Sequence, residues 1–149
     1  MRLLQTALLC VLASGACNPV KEKIPPVNTM HKSSSKLIIY QMMTRLFGNK
    51  AKDNKMYGTL AENGVGKFND ITPAALKGIR ELGVTHVWYT GVLEHALLTD
   101  YTANGIPLDD ADVVKGRAGS PYAIKDYYDV NPDLAVNVAE RMQEFESLV

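Results

Sequence analysis

Residues 116–132 read Gly-Arg-Ala-Gly-Ser-Pro-Tyr-Ala-Ile-Lys-Asp-Tyr-Tyr-Asp-Val-Asn-Pro, and the rest of the chain is organised around them. Because this stretch is polar and rich in Gly, Pro and Asp, we predict a long loop on the strand-end side of an α/β unit. It carries three tyrosines and two acids: Tyr122, Tyr127, Tyr128, Asp126 and Asp129. Flat amphipathic rings beside carboxylates suit a sugar, which offers an apolar ring face and a rim of hydroxyls. The alternative is that the rings fill the mouth of the fold or the loop's own small core.

Two apolar runs upstream predict strands. Residues 37–43 (Leu-Ile-Ile-Tyr-Gln-Met-Met) are almost continuously apolar, which is typical of a strand buried on both faces of a parallel sheet. Residues 84–92 (Val-Thr-His-Val-Trp-Tyr-Thr-Gly-Val) are β-branched and aromatic. Glu94 and His95 follow directly, at the strand end where ligand sites of parallel α/β folds form. His95 is therefore a candidate site residue.

A helix is predicted between these strands. Thr72 is a good N-cap, and Pro73 stands at the first helical position, where its missing N–H costs nothing. Gly83 suits a left-handed C-terminal stop. Gly78 lies inside the helix, and we attribute it to close approach to the sheet. The region from 36 to 92 is then one βαβ unit with parallel strands.

A second helix is predicted from Asn131 onward, because Asn-Pro-Asp at 131–133 gives a cap, a first-turn proline and an acid near the positive end of the dipole. Its apolar stripe consists of Leu134, Val138, Met142, Phe145 and Val149.

The segment 48–70 is polar and rich in glycine, which predicts a loop. Asn63, Asn69 and Asp70 could hold a hard cation such as calcium, but their spacing does not match an EF-hand loop. We therefore assign no metal site, and the sequence leaves open whether the protein binds calcium as a cofactor.

The composition is that of an ordinary globular protein. In 149 residues, 16 Lys and Arg balance 16 Asp and Glu, and 46% are hydrophobic. This balance argues against disorder and against a nucleic-acid partner.

The N-terminus reads as a targeting segment. Met1-Arg2 is a positive start, residues 3–13 are apolar, and Ser14-Gly15-Ala16 leads to Cys17. This resembles a bacterial lipoprotein signal, which implies cleavage before Cys17 and lipidation of its thiol; the alternative is an ordinary secretory signal. We expect a signal peptide at 1–16, a tether at 17–36 that holds the protein at a membrane, and a folded part at 37–149.

Several motifs resemble the start of the α-amylase family of glycoside hydrolases. They are Ile39-Tyr40-Gln41, the run from Ile79 to Trp88, and Ser120-Pro-Tyr-Ala-Ile-Lys-Asp-Tyr-Tyr-Asp-Val130. The resemblance covers about residue 36 to the end. It implies the first two βα repeats of an incomplete (β/α)8 TIM barrel, with a long loop after the second strand.

The resemblance also implies roles for individual residues. Tyr122 matches the loop tyrosine that stacks on the sugar beside the scissile bond, and Asp126 matches the acid that shapes that loop. Two positions depart from the family: Gly91 stands where a proline is usual, and Pro121 where a glycine is usual. The family's catalytic carboxylates lie on later strands, so no catalytic residue is assigned in this chain, and we expect it to be inactive and poorly folded by itself.

Three functions follow from these patterns. The first is a lipid-anchored glycoside hydrolase that acts on α-glucosidic bonds of starch or maltooligosaccharides by a retaining two-carboxylate mechanism. The second is a non-catalytic glycan-binding surface lipoprotein. The third is a small doubly wound α/β domain with an unrelated ligand.

Overall fold

The computed structural model describes residues 36–149. Four strands and three α-helices occur in this range, joined by loops and short 3-10 helices. Their order is β1 (Ile39–Met43), α1 (Leu60–Asn63), α2 (Pro73–Glu81), β2 (His86–Thr90), β3 (Leu93–His95), β4 (Ile124–Val130) and α3 (Arg141–Leu148). None of the helices described is long and apolar enough to cross a lipid bilayer.

The first sheet pairs β1 with β2 in parallel, as the two apolar runs predict. Ile39 lies opposite His86, and Met43 lies opposite Thr90. Helix α2 connects the two strands, and its start is also as predicted: the Thr72 side chain accepts a hydrogen bond from the N–H of Ala75, with Pro73 in the first turn. Local capping chemistry was therefore sufficient to place this helix.

Only one face of this sheet is covered. Met42 packs with Ile71 and Ile79 in a buried cluster beneath α2. On the opposite face Ile39, Met43 and Trp88 remain 56%, 39% and 56% exposed. The prediction that the first strand is buried on both faces is therefore wrong for the part of the chain that the structure describes.

The second sheet is formed by β3 and β4, which run antiparallel. Leu93 lies opposite Val130, Glu94 opposite Asp126 and His95 opposite Ile124, with irregular register between these pairs. The predicted loop at 116–132 is thus wrong over its second half. Ile124, Tyr127 and Val130 are residues that favour strands, and the short edge at 93–95 gives their backbone a hydrogen-bonding partner.

The predicted TIM-barrel architecture is contradicted. The described residues form two separate two-stranded sheets, one parallel and one antiparallel, instead of a run of βα repeats in one parallel sheet. The chain turns back after β2 to make its own small antiparallel sheet. The fold is a small α/β arrangement with two short sheets.

The last helix begins later than predicted. Short 3-10 helices occupy Pro132–Leu134 and Val138–Glu140, and α3 itself starts at Arg141. Ala135 adopts an extended backbone (φ −86°, ψ 146°), which interrupts the helix expected from Asn131. Of the predicted stripe, Leu134 is fully buried, and Met142 and Phe145 pack against its cluster, whereas Val149 is exposed.

A buried carboxylate connects distant parts of the chain. Asp133 has no exposed surface. Its side chain accepts hydrogen bonds from Nη1 of Arg45 at 2.5 Å and from the hydroxyl of Tyr101 at 2.8 Å. Lys67 donates to the backbone carbonyl of Asp133 at 2.6 Å. Burial, with the nearby charge of Asp133, raises the pKa of the Tyr101 hydroxyl, so this group stays protonated and remains a donor.

Gly78 does not approach the sheet as expected. A Cβ atom built at this position meets nothing within 4 Å, and the residue is exposed on α2. The close-approach explanation for this glycine is therefore wrong, and nothing in the structure explains why glycine stands here.

Candidate functional site

The site predicted from the sequence lies around β3, β4 and the residues that lead into β4. Tyr122, two residues before β4, is 73% exposed, and Tyr127 and Tyr128 on the strand are 72% and 94% exposed. None of these three rings fills a core within the described structure. The N–H of Tyr122 lies 3.4 Å from the hydroxyl of Ser120.

The two positions that depart from the α-amylase pattern contact each other. Gly91, just after β2, has φ +82°, a conformation that favours glycine. A Cβ built on Gly91 would lie 3.1 Å from the Cβ of Pro121. Pro121 therefore packs over the backbone that the missing side chain leaves open, and it sets the chain direction immediately before Tyr122.

His95 is buried beneath this segment, with 3% of its surface exposed. Its Nδ1 lies 3.1 Å from the carbonyl oxygen of Leu93, and its Nε2 lies 3.1 Å from the carbonyl oxygen of Ala118. The ring therefore ties β3 to the residues that precede Tyr122. In this position His95 supports the surface from below and does not itself line it.

Gly119 allows this close packing. It has φ +71°, and a Cβ at this position would stand 1.7 Å from the carbonyl oxygen of Ala96. The backbone of residue 119 thus passes against β3 at a distance that no side chain permits.

Asp126 lies on β4 opposite Glu94. Its Oδ1 accepts a hydrogen bond of 2.7 Å from the N–H of Tyr128. This local bond fixes the carboxylate and leaves its other oxygen available. Asp126 also lines a pocket, so the structure places it where a ligand can reach it.

We call this cavity the charged pocket, and its volume is about 380 Å³. Its walls carry four carboxylates and two cations. The lining residues are Glu94, Gly105, Ile106, Pro107, Asp109, Lys125, Asp126, Asp129 and Arg141. Tyr122 and His95 are not among them, so the pocket takes only one of the three site residues predicted from the sequence.

Lys125 joins two of the pocket's carboxylates. Its Nζ lies 3.2 Å from Glu94 and 3.1 Å from Asp109. Burial lowers the pKa of the Lys125 ammonium, but its hydrogen bonds to Asp109 and Glu94 outweigh burial and hold the pKa above its usual value. Glu94 is only 5% exposed, so this pairing compensates a buried charge.

Arg141, the first residue of α3, holds Asp129 through two hydrogen bonds. Its Nε lies 2.8 Å from Oδ1 and its Nη2 lies 2.5 Å from Oδ2. Burial raises the pKa of the Asp129 carboxyl, but the hydrogen bonds and charge of Arg141, together with the hydrogen bonds from the N–H of Val130 and from Glu94, bring the pKa below its usual value. Such a two-point pair has fixed geometry and anchors α3 to the end of β4.

The charged pocket can hydrogen-bond a polar ligand, but it does not supply an acid/base pair. Glu94, Asp109 and Asp129 are each held by a cation at short distance. A retaining glycosidase needs one carboxyl kept protonated and another free to attack. Paired carboxylates of this kind are instead suited to accepting hydrogen bonds from hydroxyl groups.

The sequence also suggested a loop that could hold calcium and a lipid-attachment site at Cys17. Within residues 36–149, no cluster of three or more His, Cys, Asp or Glu side chains could hold a metal ion. In the loop proposed for calcium, Asn63 Oδ1 accepts from the N–H of Lys55 and Asp70 Oδ2 from that of Lys67, both at 2.8 Å. Cys17, the signal peptide and the tether up to residue 35 lie outside the described residues.

No protein-family model, curated protein or solved structure matches this chain. The resemblance to α-amylases therefore depends on the motifs quoted above alone.

Replacement of Gly119 by alanine should displace the segment that carries Tyr122. The added methyl group would collide with the carbonyl of Ala96, so we expect a loss of several kcal/mol, at the upper end of single-residue effects. Gly105→Ala is the matched control, because Gly105 also has positive φ (+79°) but open space around it. Urea denaturation of the full-length variants measures both, and equal losses would contradict the packing argument.

Replacement of Asp129 by asparagine should reduce stability at pH 7 by about 1.5–3 kcal/mol, the usual contribution of a hydrogen bond to a charged group. The pKa of Asp129 is lowered in the folded protein. Its contribution is therefore complete above the unfolded-state pKa of about 3.9 and is lost as the pH falls through the lower folded-state value.

Urea denaturation of the wild type and the Asp129→Asn variant between pH 7 and pH 3 measures this effect. The stability difference should shrink as the solution becomes more acidic. Asp53→Asn, at an exposed position, is the control and should change little at any pH. A difference that stays constant down to the lowest pH would show that the charge of Asp129 is not the cause.

Proposed function

We propose that the complete protein is a glycoside hydrolase acting on α-glucosidic bonds of starch or maltooligosaccharides, and that this chain supplies part of its sugar-binding surface. The observation that carries this proposal is the exposed ring of Tyr122, in a segment whose backbone is held by the Gly91–Pro121 contact and by the contact of His95 with Ala118. A tyrosine that is fixed at its backbone and open at its ring is the group on which a pyranose stacks.

The charged pocket supports the same proposal. Asp126 and its neighbours place several carboxylate oxygens on one cavity wall. Sugar hydroxyl groups donate to such oxygens, and Lys125 and Arg141 donate to sugar oxygens in return. A stacking ring together with a hydrogen-bonding wall is the usual composition of a carbohydrate site.

In the proposed mechanism this chain binds and orients the sugar, while other parts of the protein carry out bond cleavage. A retaining enzyme needs two carboxyls about 5–5.5 Å apart, one as nucleophile and one as acid and base. We assign neither role to a residue of this chain. Tyr122 would hold the sugar ring beside the scissile bond, and Asp126 would keep the segment around it in shape.

The second candidate, a glycan-binding protein without catalysis, is favoured by one observation. Glu94, Asp109 and Asp129 are all ion-paired, which suits binding better than proton transfer. The two candidates differ in a single measurement, because only the hydrolase releases reducing ends.

The full-length protein should bind maltooligosaccharides and release reducing ends from starch. Tyr122→Ala removes the stacking ring and should weaken oligosaccharide binding by about three- to tenfold, the value of one aromatic contact. Tyr128→Ala is the matched control, because that ring is also exposed (94%) but lies on β4, outside the segment that Pro121 and His95 hold. Isothermal titration calorimetry and a reducing-end assay give the two readouts.

Binding without release of reducing ends would favour the non-catalytic glycan-binding protein. If neither binding nor release occurs, or if Tyr128→Ala weakens binding as much as Tyr122→Ala, the sugar-binding proposal is wrong.

We further propose that the protein is exported and anchored to a membrane by a lipid on Cys17, as its N-terminal motif indicates. Cys17→Ser removes the thiol that would carry the lipid. Metabolic labelling with a fatty-acid analogue should mark the wild type and leave the variant unmarked, and the variant should move to the soluble fraction. Wild-type protein that stays unlabelled and soluble would overturn the anchor.

A further inference from the structure

A second cavity, of about 450 Å³, lies between the loop that follows β1 and the segment at 115–118. It shares no lining residue with the charged pocket. Its volume falls within the range of small-molecule sites, roughly 300–1,000 Å³. We call it the basic pocket, because the charged residues that line it are Arg45, Lys115 and Arg117.

The positive charge of the basic pocket is only partly compensated. Arg45 is held by Asp133, but Lys115 and Arg117 form no salt bridge within residues 36–149. No acidic residue is among its lining residues. Two further carboxylates belong to neighbouring parts of the chain without lining the pocket: Glu62 pairs with Lys55, and Asp100 lines an adjoining cleft and bonds Thr102. An anion in the pocket would therefore meet two cations without partners of their own.

The wall of the pocket is an exposed loop that several hydrogen bonds hold together. The side chain of Asn63 bonds both the N–H and the carbonyl of Lys55, at 2.8 and 2.9 Å. Asn49 donates to the carbonyl of Asn63 and accepts from the N–H of Ala51, both at 3.0 Å. Thr59 and Glu62 form a reciprocal cap at the start of α1. These bonds fix the loop before any ligand arrives, which lowers the entropic cost of binding.

Tyr57 stands at the rim in an unusual conformation. Its φ is +56°, and it is the one residue other than glycine within the described chain that has positive φ. A bulky side chain in this region is strained, and such strain persists where the surroundings impose it, often at ligand sites. The ring lines the basic pocket and is 71% exposed, so the strained backbone holds a flat surface open beside the two cations.

We propose that the basic pocket binds a small anionic sugar, with its phosphate or carboxylate on Lys115 and Arg117 and its ring on Tyr57. The guanidinium of Arg117 offers a planar pair of donors that matches either anion, and Lys115 adds a point charge. The uncharged ring of the ligand covers the tyrosine face. This site does not depend on the proposed hydrolase activity, because neither Tyr122 nor any residue of the charged pocket lines it.

The test is calorimetric titration of the full-length protein with three probes of similar size: glucose 6-phosphate, glucuronic acid and glucose. At least one of the anionic probes should bind, and glucose should bind at least tenfold more weakly at this pocket. Binding of the phosphate alone, of the carboxylate alone or of both identifies the anion. The proposal is overturned if neither anion binds, or if glucose binds equally well.

The double variant Lys115→Ala, Arg117→Ala should weaken binding of the anionic probe at least tenfold. Lys77→Ala, Arg80→Ala removes the same two charges from the exposed side of α2 and is the matched control. Equal weakening by both variants would mean nonspecific attraction and would overturn the site.

The Tyr57→Ala variant tests the stacking contact separately from the charges, because the substitution removes the ring and leaves the charge of the pocket unchanged. It should weaken binding of the anionic sugar while leaving the affinity for inorganic phosphate unchanged, because only the sugar has a ring to cover the tyrosine. Tyr122→Ala should leave this binding unchanged, which separates this site from the proposed hydrolase surface. Unchanged sugar binding in Tyr57→Ala would remove the ring from the proposal and overturn it as stated.

Discussion

A single carboxylate with no exposure to solvent, that of Asp133, constrains much of the described structure. A buried charge is costly unless it is paired and hydrogen-bonded, and Asp133 meets this requirement with partners from far along the chain. Arg45 comes from the end of β1, and Tyr101 comes from the loop after β3. The position of Asp133 therefore fixes the end of the first strand relative to the loop that closes the second sheet, and both cavities are built on these connected segments.

Side chains of β2 and α3 link the two small cores. Tyr89 and Leu148 pack against both clusters of buried residues, one around Met42 and the other around Phe68. Phe68 and Phe145 meet at a centroid distance of 5.8 Å in a tilted arrangement, which brings α3 onto the loop before α2. Neither core is large. The polar network around Asp133 and the ion pairs of the charged pocket therefore connect elements that the apolar contacts alone do not join.

Local signals in the sequence predicted the structure well, and signals that depend on distant partners did not. Thr72 and Pro73 placed α2 because a cap and a first-turn proline act within one turn. The apolar runs likewise predicted the parallel pair. The strand at 124–130 was missed because its polar residues suggested a loop. The segment becomes a strand because its backbone pairs with residues 93–95, which are distant in the sequence. The cap predicted at Asn131 forms, since its side chain accepts a hydrogen bond from the N–H of Asp133, but it starts only a short 3-10 helix because the backbone is extended at Ala135.

For the candidate site, the sequence predicted Tyr122, Asp126 and His95 but not their arrangement. Asp126 lines a pocket, whereas His95 is a buried support, a difference set by packing that no motif encodes. Lys125 and Arg141 were missed entirely, although each compensates carboxylates of the same pocket. The first, Lys125, stands directly beside Asp126 on β4, and this lone cation near two acids could have suggested it. The second lies 12 residues from Asp129, which left no local signal.

The contact between Gly91 and Pro121 has a consequence for how this protein can change. Each residue looks like a separate departure from the α-amylase pattern, yet one occupies the room that the other vacates. A lineage could not replace the glycine first without crowding the ring, nor could it place proline where φ is +82°. The two positions are therefore coupled. A chimera that exchanges the segments around them should take both residues from the same parent protein.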